Sequence, residues 1–125
     1  MRIGELAART GVSVRSLRYY EEQGLLTSTR SASGQRHYTD DSVERVAFIQ
    51  QLYAAGLSSR AIAELLPCVD EPSEGNSEAA MERMEQERDR LTGHIAELMR
   101  TRDALDGLMA KGRAYQESLR SGASV

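Results

Sequence analysis

Residues 3–38 run IGELAARTGVSVRSLRYYEEQGLLTSTRSASGQRHY, and the breaks inside this stretch decide how the chain folds. Ile3, Leu6 and Ala7 recur at helical spacing, and Thr10-Gly11-Val12 then stops that helix with a glycine able to take positive φ. Ser13 is placed to cap a second helix at once, in which Val14, Leu17 and Tyr20 share one face while Arg15, Arg18 and Tyr19 point elsewhere. Two short helices joined by a Gly-containing turn form a helix-turn-helix. Gly24 ends the second helix. Leu25-Leu26-Thr27 and Arg36-His37-Tyr38-Thr39 then read as two short extended runs around the turn-forming Ser31-Ala32-Ser33-Gly34, a candidate hairpin wing.

Downstream, Asp40-Asp41-Ser42 supplies an N-cap and early negative charge for a third helix, with Val43, Val46, Ala47, Ile49, Gln50 and Tyr53 as its buried stripe. Gly56 closes it. Ser58 or Ser59 opens a fourth helix with Ile62, Leu65 and Leu66 inward, and Pro67 marks its end. Polar residues with Pro, Gly and Asn follow, so residues 70–76 are expected to link a winged helix-turn-helix head, residues 1–69, to a coiled-coil helix and short tail, residues 77–125. In that segment heptad positions a and d fall on Met81, Met84, Arg88, Leu91, Ile95, Leu98, Arg102, Leu105, Met109, Gly112, Gln116 and Leu119. Eight of these twelve are apolar, a coiled-coil seam with polar interruptions. From Ser77 to Gly112 it would make a rod of about 54 Å. One helix with one apolar stripe needs a partner, and the simplest is a second copy of the chain, meeting it through Met81, Met84, Leu91, Ile95, Leu98, Leu105 and Met109.

A chain of 125 residues, 40% apolar and 28% charged, can bury one core, and 5% aromatic content makes that core aliphatic. No run approaches the roughly 20 apolar residues needed to span a bilayer. The N-terminus lacks the apolar region of a signal peptide, and the single cysteine forms no internal disulfide, so a cytoplasmic protein without membrane association is expected. The net charge of −3 conceals an asymmetry: residues 1–38 carry six Arg against three Glu, residues 70–125 eight basic against twelve acidic side chains. A basic head on an acidic body fits a polyanion-binding module tied to something else. Fifteen of the sixteen basic residues are Arg, whose planar forks suit phosphate and guanine.

The order helix-turn-helix, wing, two helices and long helix, with the strings IGELAARTGVSVRSLRYYEEQGLL and R-SASGQRHY, resembles the MerR family of bacterial transcription regulators over residues 2 to about 66. The resemblance implies a mainly α, winged helix-turn-helix head. Its second helix enters the major groove of promoter DNA and its wing grips the flanking backbone. The long C-terminal dimerisation helices pair as an antiparallel coiled coil. Carried over residue by residue, Arg18 and Tyr19 match family positions that contact DNA, Arg36 and Tyr38 match the wing contacts, and Arg15 occupies an exposed recognition-helix position. Ser13, at the mouth of that helix, joins the candidate contacts. Arg60 would either reach phosphate as part of a second wing or be solvated. Arg18 has an alternative partner in Glu21 or Glu22 on its own helix. Gln35 stands where the family often has an aromatic. The resemblance also implies that a homodimer distorts a palindromic promoter so that RNA polymerase can read it.

Sensor chemistry is sparse. Metal-responding relatives use several cysteines, whereas Cys68 stands alone and neither His37 nor His94 is spaced to join it, so no metal and no cofactor are expected. Few residues follow the predicted coiled coil, so a separate effector domain is not expected. Cys68, at the joint between head and long helix, is a candidate sensor of oxidative or electrophilic stress, or else a small packed hydrophobe. Met81, Met84, Met99 and Met109 are either oxidant reporters or core filler. An enzyme is not expected, since no Ser–His–Asp set and no Gly-rich phosphate loop occurs. The alternative to a regulator is an architectural or adaptor protein whose rod binds another protein.

Overall fold

The computed structural model describes residues 1–123, the side chain of Ala123 excepted. In chain order its elements are α1 (Ile3–Thr10), α2 (Val14–Glu22), β1 (Thr29–Arg30), β2 (Arg36–His37), α3 (Asp40–Ala54), α4 (Ser59–Leu65), α5 (Pro67–Asp70) and α6 (Glu74–Ala123). The chain divides into two units, Met1–Met84 and the residues from Glu85 onward, and α6 runs through both. The first unit is a mainly helical, winged helix-turn-helix head.

Between α1 and α2, Gly11 sits at φ 73° and its N–H donates to the Ala7 carbonyl at 2.9 Å, a left-handed cap that a side chain would strain. Ser13 then opens α2, its hydroxyl accepting the Ser16 N–H at 3.1 Å. At the far end Gly24, also at φ 73°, donates to the Glu21 carbonyl and Leu25 to the Tyr20 carbonyl, which pairs the last free carbonyls of α2. This closure corrects the expected wing. Leu25 and Leu26 belong to no strand; both are buried, at 0% and 3% exposure, in the head core. Successive strand residues face opposite ways, so burying both sides of a two-stranded ribbon is not available to them. The wing itself is short and antiparallel, with Thr29 opposite His37 and Arg30 opposite Arg36.

Thr39, one residue earlier than expected, is the N-cap of α3; the Ser42 hydroxyl accepts its N–H at 3.2 Å, and Asp40 and Asp41 occupy the first turn. Val46 and Ile49 are fully buried, whereas Ala47 and Gln50, expected on the same stripe, are exposed. At 3.6 residues per turn they lie about 140° and about 80° from the face that carries Ser42, Val46, Ile49 and Tyr53. That face packs toward α1 and α4. Ser58 caps α4 by accepting the Ala61 N–H at 3.1 Å, and Pro67 ends α4 by becoming the first residue of α5.

The long helix starts at Glu74, so only residues 71–73 of the expected 70–76 linker lie outside helices. The polar residues responsible for that expectation form a helix start: the Ser73 hydroxyl accepts the Asn76 N–H at 3.0 Å, and the Asn76 amide donates to the Glu71 carbonyl at 2.7 Å. Ala80, early in α6, is buried in the head core. Residues 124 and 125 of the expected tail lie outside the described residues. Among the described residues no helix is long and apolar enough to cross a membrane.

Candidate nucleic-acid interface

The amphipathic repeat of α2 sorts its side chains. Leu17 and Tyr20 point inward, with Tyr20 stacked on Tyr53 at a ring separation of 5.7 Å, as the spacing predicts. Burial and the neighbouring Tyr53 push the Tyr20 phenol above its ordinary pKa, which keeps it neutral in the core. The opposite face carries Arg15, Arg18 and Tyr19, all exposed. Neither Arg15 nor Arg18 makes an ion pair or hydrogen bond among the described residues. Both guanidiniums are thus open to an anionic partner.

Arg18 pairs with neither of its intrahelical alternatives, Glu22 or Glu21, and Glu21 is engaged elsewhere. Its carboxylate, with 12% side-chain exposure, lies 3.2 Å from the Arg36 guanidinium and accepts the Tyr38 hydroxyl at 2.5 Å. Tyr38 is therefore placed differently from the expected wing contact: at 2% exposure it is a core residue whose hydroxyl is spent inside the head. Burial first, then the hydrogen bond to Glu21 and its charge, push the Tyr38 phenol up to about 12. Arg36 stays half-exposed at the wing surface, held by Glu21 from below.

Tyr19 reaches across to α4, its hydroxyl 3.1 Å from that of Ser59, which also meets the Tyr53 hydroxyl at 2.5 Å. The recognition helix is thereby keyed to the next layer. Arg60 projects from α4 with 90% of its side chain exposed and only a 3.7 Å approach to Glu64, a pairing too exposed to hold it. Ser13 is exposed, but its hydroxyl serves the cap of α2.

Two features escaped the sequence pattern. Arg2 donates to the Gln35 side-chain oxygen, joining the start of α1 to the wing. Beside it Met1 and Tyr38 exchange main-chain hydrogen bonds, each 2.7 Å long. Glu21, the shared anchor of Arg36 and Tyr38, was equally silent, because nothing local marks a glutamate as buried.

At the base of the head Cys68 is half-buried against the core. Nearby Arg45 grips both oxygens of Asp70 at 2.6 and 2.9 Å and donates to the Leu25 carbonyl at 2.9 Å, joining α3, α5 and the end of α2. The Arg45 hydrogen bonds hold the Asp70 carboxyl below its ordinary range. The side chains of the expected seam, Met81, Met84, Leu91, Ile95, Leu98, Leu105 and Met109, are all exposed, from 38% at Met84 to 56% at Leu105. Among the described residues no three His, Cys, Asp or Glu side chains gather as a metal site.

The family model for MerR HTH family regulatory proteins matches residues 1–67, and a second, described as MerR, DNA binding, matches residues 43–108. The chain belongs to the MerR family. It is a DNA-binding transcription regulator of that family and not an enzyme. A SoxR homolog from Chromobacterium violaceum, named as an HTH-type transcriptional activator, is 38% identical over 118 residues, 88% of this chain and 74% of that protein. A MerR family regulator from Listeria monocytogenes superposes with a TM-score of 0.62 at 32% identity, covering 85% of this chain and 80% of that one. HiNmlR, described as a MerR family regulator lacking the sensor domain and bound to promoter DNA, gives a TM-score of 0.59 at 27% identity, over 87% and 86% of the two chains.

Proposed function

We propose that this MerR-family chain acts as a homodimer on a palindromic promoter, placing two heads in the major groove and distorting the DNA between them so that RNA polymerase gains or loses access. The observation that carries this reading is the pairing of an unengaged cationic face on α2, Arg15 and Arg18, with an unburied apolar seam on α6. The first needs a polyanion and the second needs another helix. Distorting a short duplex costs several kcal/mol, which two heads fixed by one seam supply together and independent heads do not. Arg15, Arg18, Tyr19 and Arg36 make the contacts in this reading, Arg60 adds an outer phosphate contact, Ser13 presents the helix to the groove, and Tyr38 supports the wing from beneath.

Titration of a selected palindromic duplex against salt tests the interface. Affinity is expected to fall steeply, with a log–log slope near −0.9 per phosphate neutralised. Arg18→Ala is expected to cost about 1–3 kcal/mol and to relax sequence selectivity if Arg18 reads a base. A flat salt response, or a monomer by light scattering, would favour an adaptor protein instead.

The signal in this reading is oxidative or electrophilic. An adduct at Cys68, packed against the core and two residues before Asp70 of the Arg45–Asp70 lock, adds volume there at a cost of about 1–3 kcal/mol. Transcription with and without oxidant, in the parent chain, in Cys68→Ser and in a variant with Met81, Met84, Met99 and Met109 changed to Leu, assigns the response to the thiol or to the methionines. No loss of response in either variant would remove both.

A further inference from the structure

Arg2, Arg18 and Arg36 come from three separate elements, the start of α1, the exposed face of α2 and the wing, yet they line one open cleft of about 290 Å³ together with Ile3, Gln35 and Tyr38. No carboxylate lines it. An adjoining cleft of about 210 Å³ shares Arg18 and Arg36 but is walled by Glu21 and Glu22, so its charge is balanced. The two clefts therefore differ in kind: an anion is repelled by the acids in the second and meets only guanidiniums, an amide and apolar walls in the first. Glu21 lies 3.2 Å from the Arg36 guanidinium but is not among the residues lining the first cleft, and Arg36 stays half-exposed.

Arg2 is tied to the wing by its side chain and by its neighbour's main chain. Its guanidinium donates to Gln35, and the paired main-chain bonds between Met1 and Tyr38 clamp the residue before it to the end of the wing. Gln35 orients Arg2 without neutralising it, since an amide oxygen carries no net charge. Arg36 is already compensated by Glu21, but Arg2 and Arg18 have no carboxylate partner among the described residues, so an anion entering this space gains from both and from the open side of Arg36.

We propose that Arg2 is a further DNA-contacting residue, completing with Arg18 and Arg36 a clamp for one backbone phosphate, with Gln35 as its positioning residue. This rests on the DNA-binding reading above. It assigns Arg18 a phosphate on the wing side of α2, so the recognition helix and the wing grip the same point of the backbone. Their spacing on the duplex is then set by one phosphate.

The test measures binding of a selected palindromic duplex, and of a scrambled duplex, over a range of salt for the parent chain, Arg2→Ala, Arg2→Lys and Gln35→Ala. Loss of a phosphate contact predicts that Arg2→Ala weakens both duplexes by a similar factor and lowers the salt slope by about one per head bound. Arg2→Lys is expected to keep the slope, and Gln35→Ala to weaken binding with the slope unchanged. A double substitution of Arg2 and Arg36 is expected to cost less than the sum of the two singles, because the second arginine loses a phosphate already poorly held. Single neutral methylphosphonate linkages scanned through the half-site should reveal one position that weakens the parent by a larger factor than it weakens Arg2→Ala, in which Arg18 and Arg36 still face that phosphate. Equal slopes for the parent and Arg2→Ala would overturn the clamp and leave DNA binding intact. A parent chain without salt-dependent binding would overturn both.

Discussion

Leucine, isoleucine and methionine lie on both sides of Met84, and their environments are opposite. In the head Leu6, Leu17, Leu25, Ile49 and Ile62 have no exposure at all, whereas from Leu91 to Leu119 the large apolar side chains of α6 are 45% to 66% exposed. Composition does not separate these groups; topology does. The head turns the chain back on itself at Gly11, Gly24 and Gly56, so each apolar face meets another, while α6 continues without a turn and provides no opposing surface. Burial worth about 25 cal/mol per Å² is thus complete in one unit and still to be gained in the other. The head closes its apolar faces on one another, and the long helix leaves its apolar face open.

The sharpest way to break this contrast is to remove the reason for joining. Changing Leu91, Ile95 and Leu98 together to Gln leaves the head core untouched but takes three successive apolar seam positions away. The expected outcome is loss of the dimer by light scattering and loss of promoter binding, with the near-UV signal of the head tyrosines retained. Persistent dimers would place the second copy on a different surface.

A smaller effect is expected from inside the head. Leu17→Ala removes a fully buried side chain from α2, which carries core residues on one face and Arg15, Arg18 and Tyr19 on the other. Its cost should fall at about 2–5 kcal/mol, read as a lower denaturation midpoint. Equivalent truncation of Leu105 should leave the midpoint nearly unchanged when the protein is dilute and monomeric, and lower it when concentrated. Equal effects at both sites at every concentration would erase the distinction between the units.

The legible part of the molecule is the part fixed by near neighbours. Ser13 three residues before the N–H it accepts, Gly11 at a helix end and Leu17 and Tyr20 on one face are all local relations, and each is found where the pattern put it. The misplaced parts depend on distant partners. Leu25 and Leu26 resemble the start of a strand until the head core claims them, and Ser73 and Asn76 resemble a linker until they cap α6. At the interface, exposure of Arg15, Arg18 and Tyr19 followed from helical phase. The Tyr38–Glu21 bond spans 17 residues and the Arg2–Gln35 bond 33, and neither pair carries a periodic signal.

That Tyr38–Glu21 bond gives the smallest of these effects and tests how far the stable unit extends beneath the wing. Tyr38→Phe keeps the ring in the core but leaves the largely buried Glu21 carboxylate with one donor fewer, a loss of about 1–3 kcal/mol. Its pH dependence is distinct. In the folded head the phenol ionises only near 12, against 10.0 for an unperturbed tyrosine. The stabilisation from keeping it protonated is therefore fully present below pH 10 and declines as pH rises from 10 toward 12, because the unfolded chain releases this proton first. Alkaline denaturation of the parent should show that decline, and Tyr38→Phe should show a flatter one above a lower plateau. Arg36 supplies the second reading: with Tyr38 gone it remains the only described side-chain partner of Glu21 among the ion pairs and hydrogen bonds above, so wing mobility by hydrogen exchange should rise modestly, and not to the level of an unfolded segment. Full wing exchange in Tyr38→Phe would mean that the hydroxyl, rather than the packed ring, holds the wing to the head, and the boundary of the stable core would have to be drawn above Tyr38.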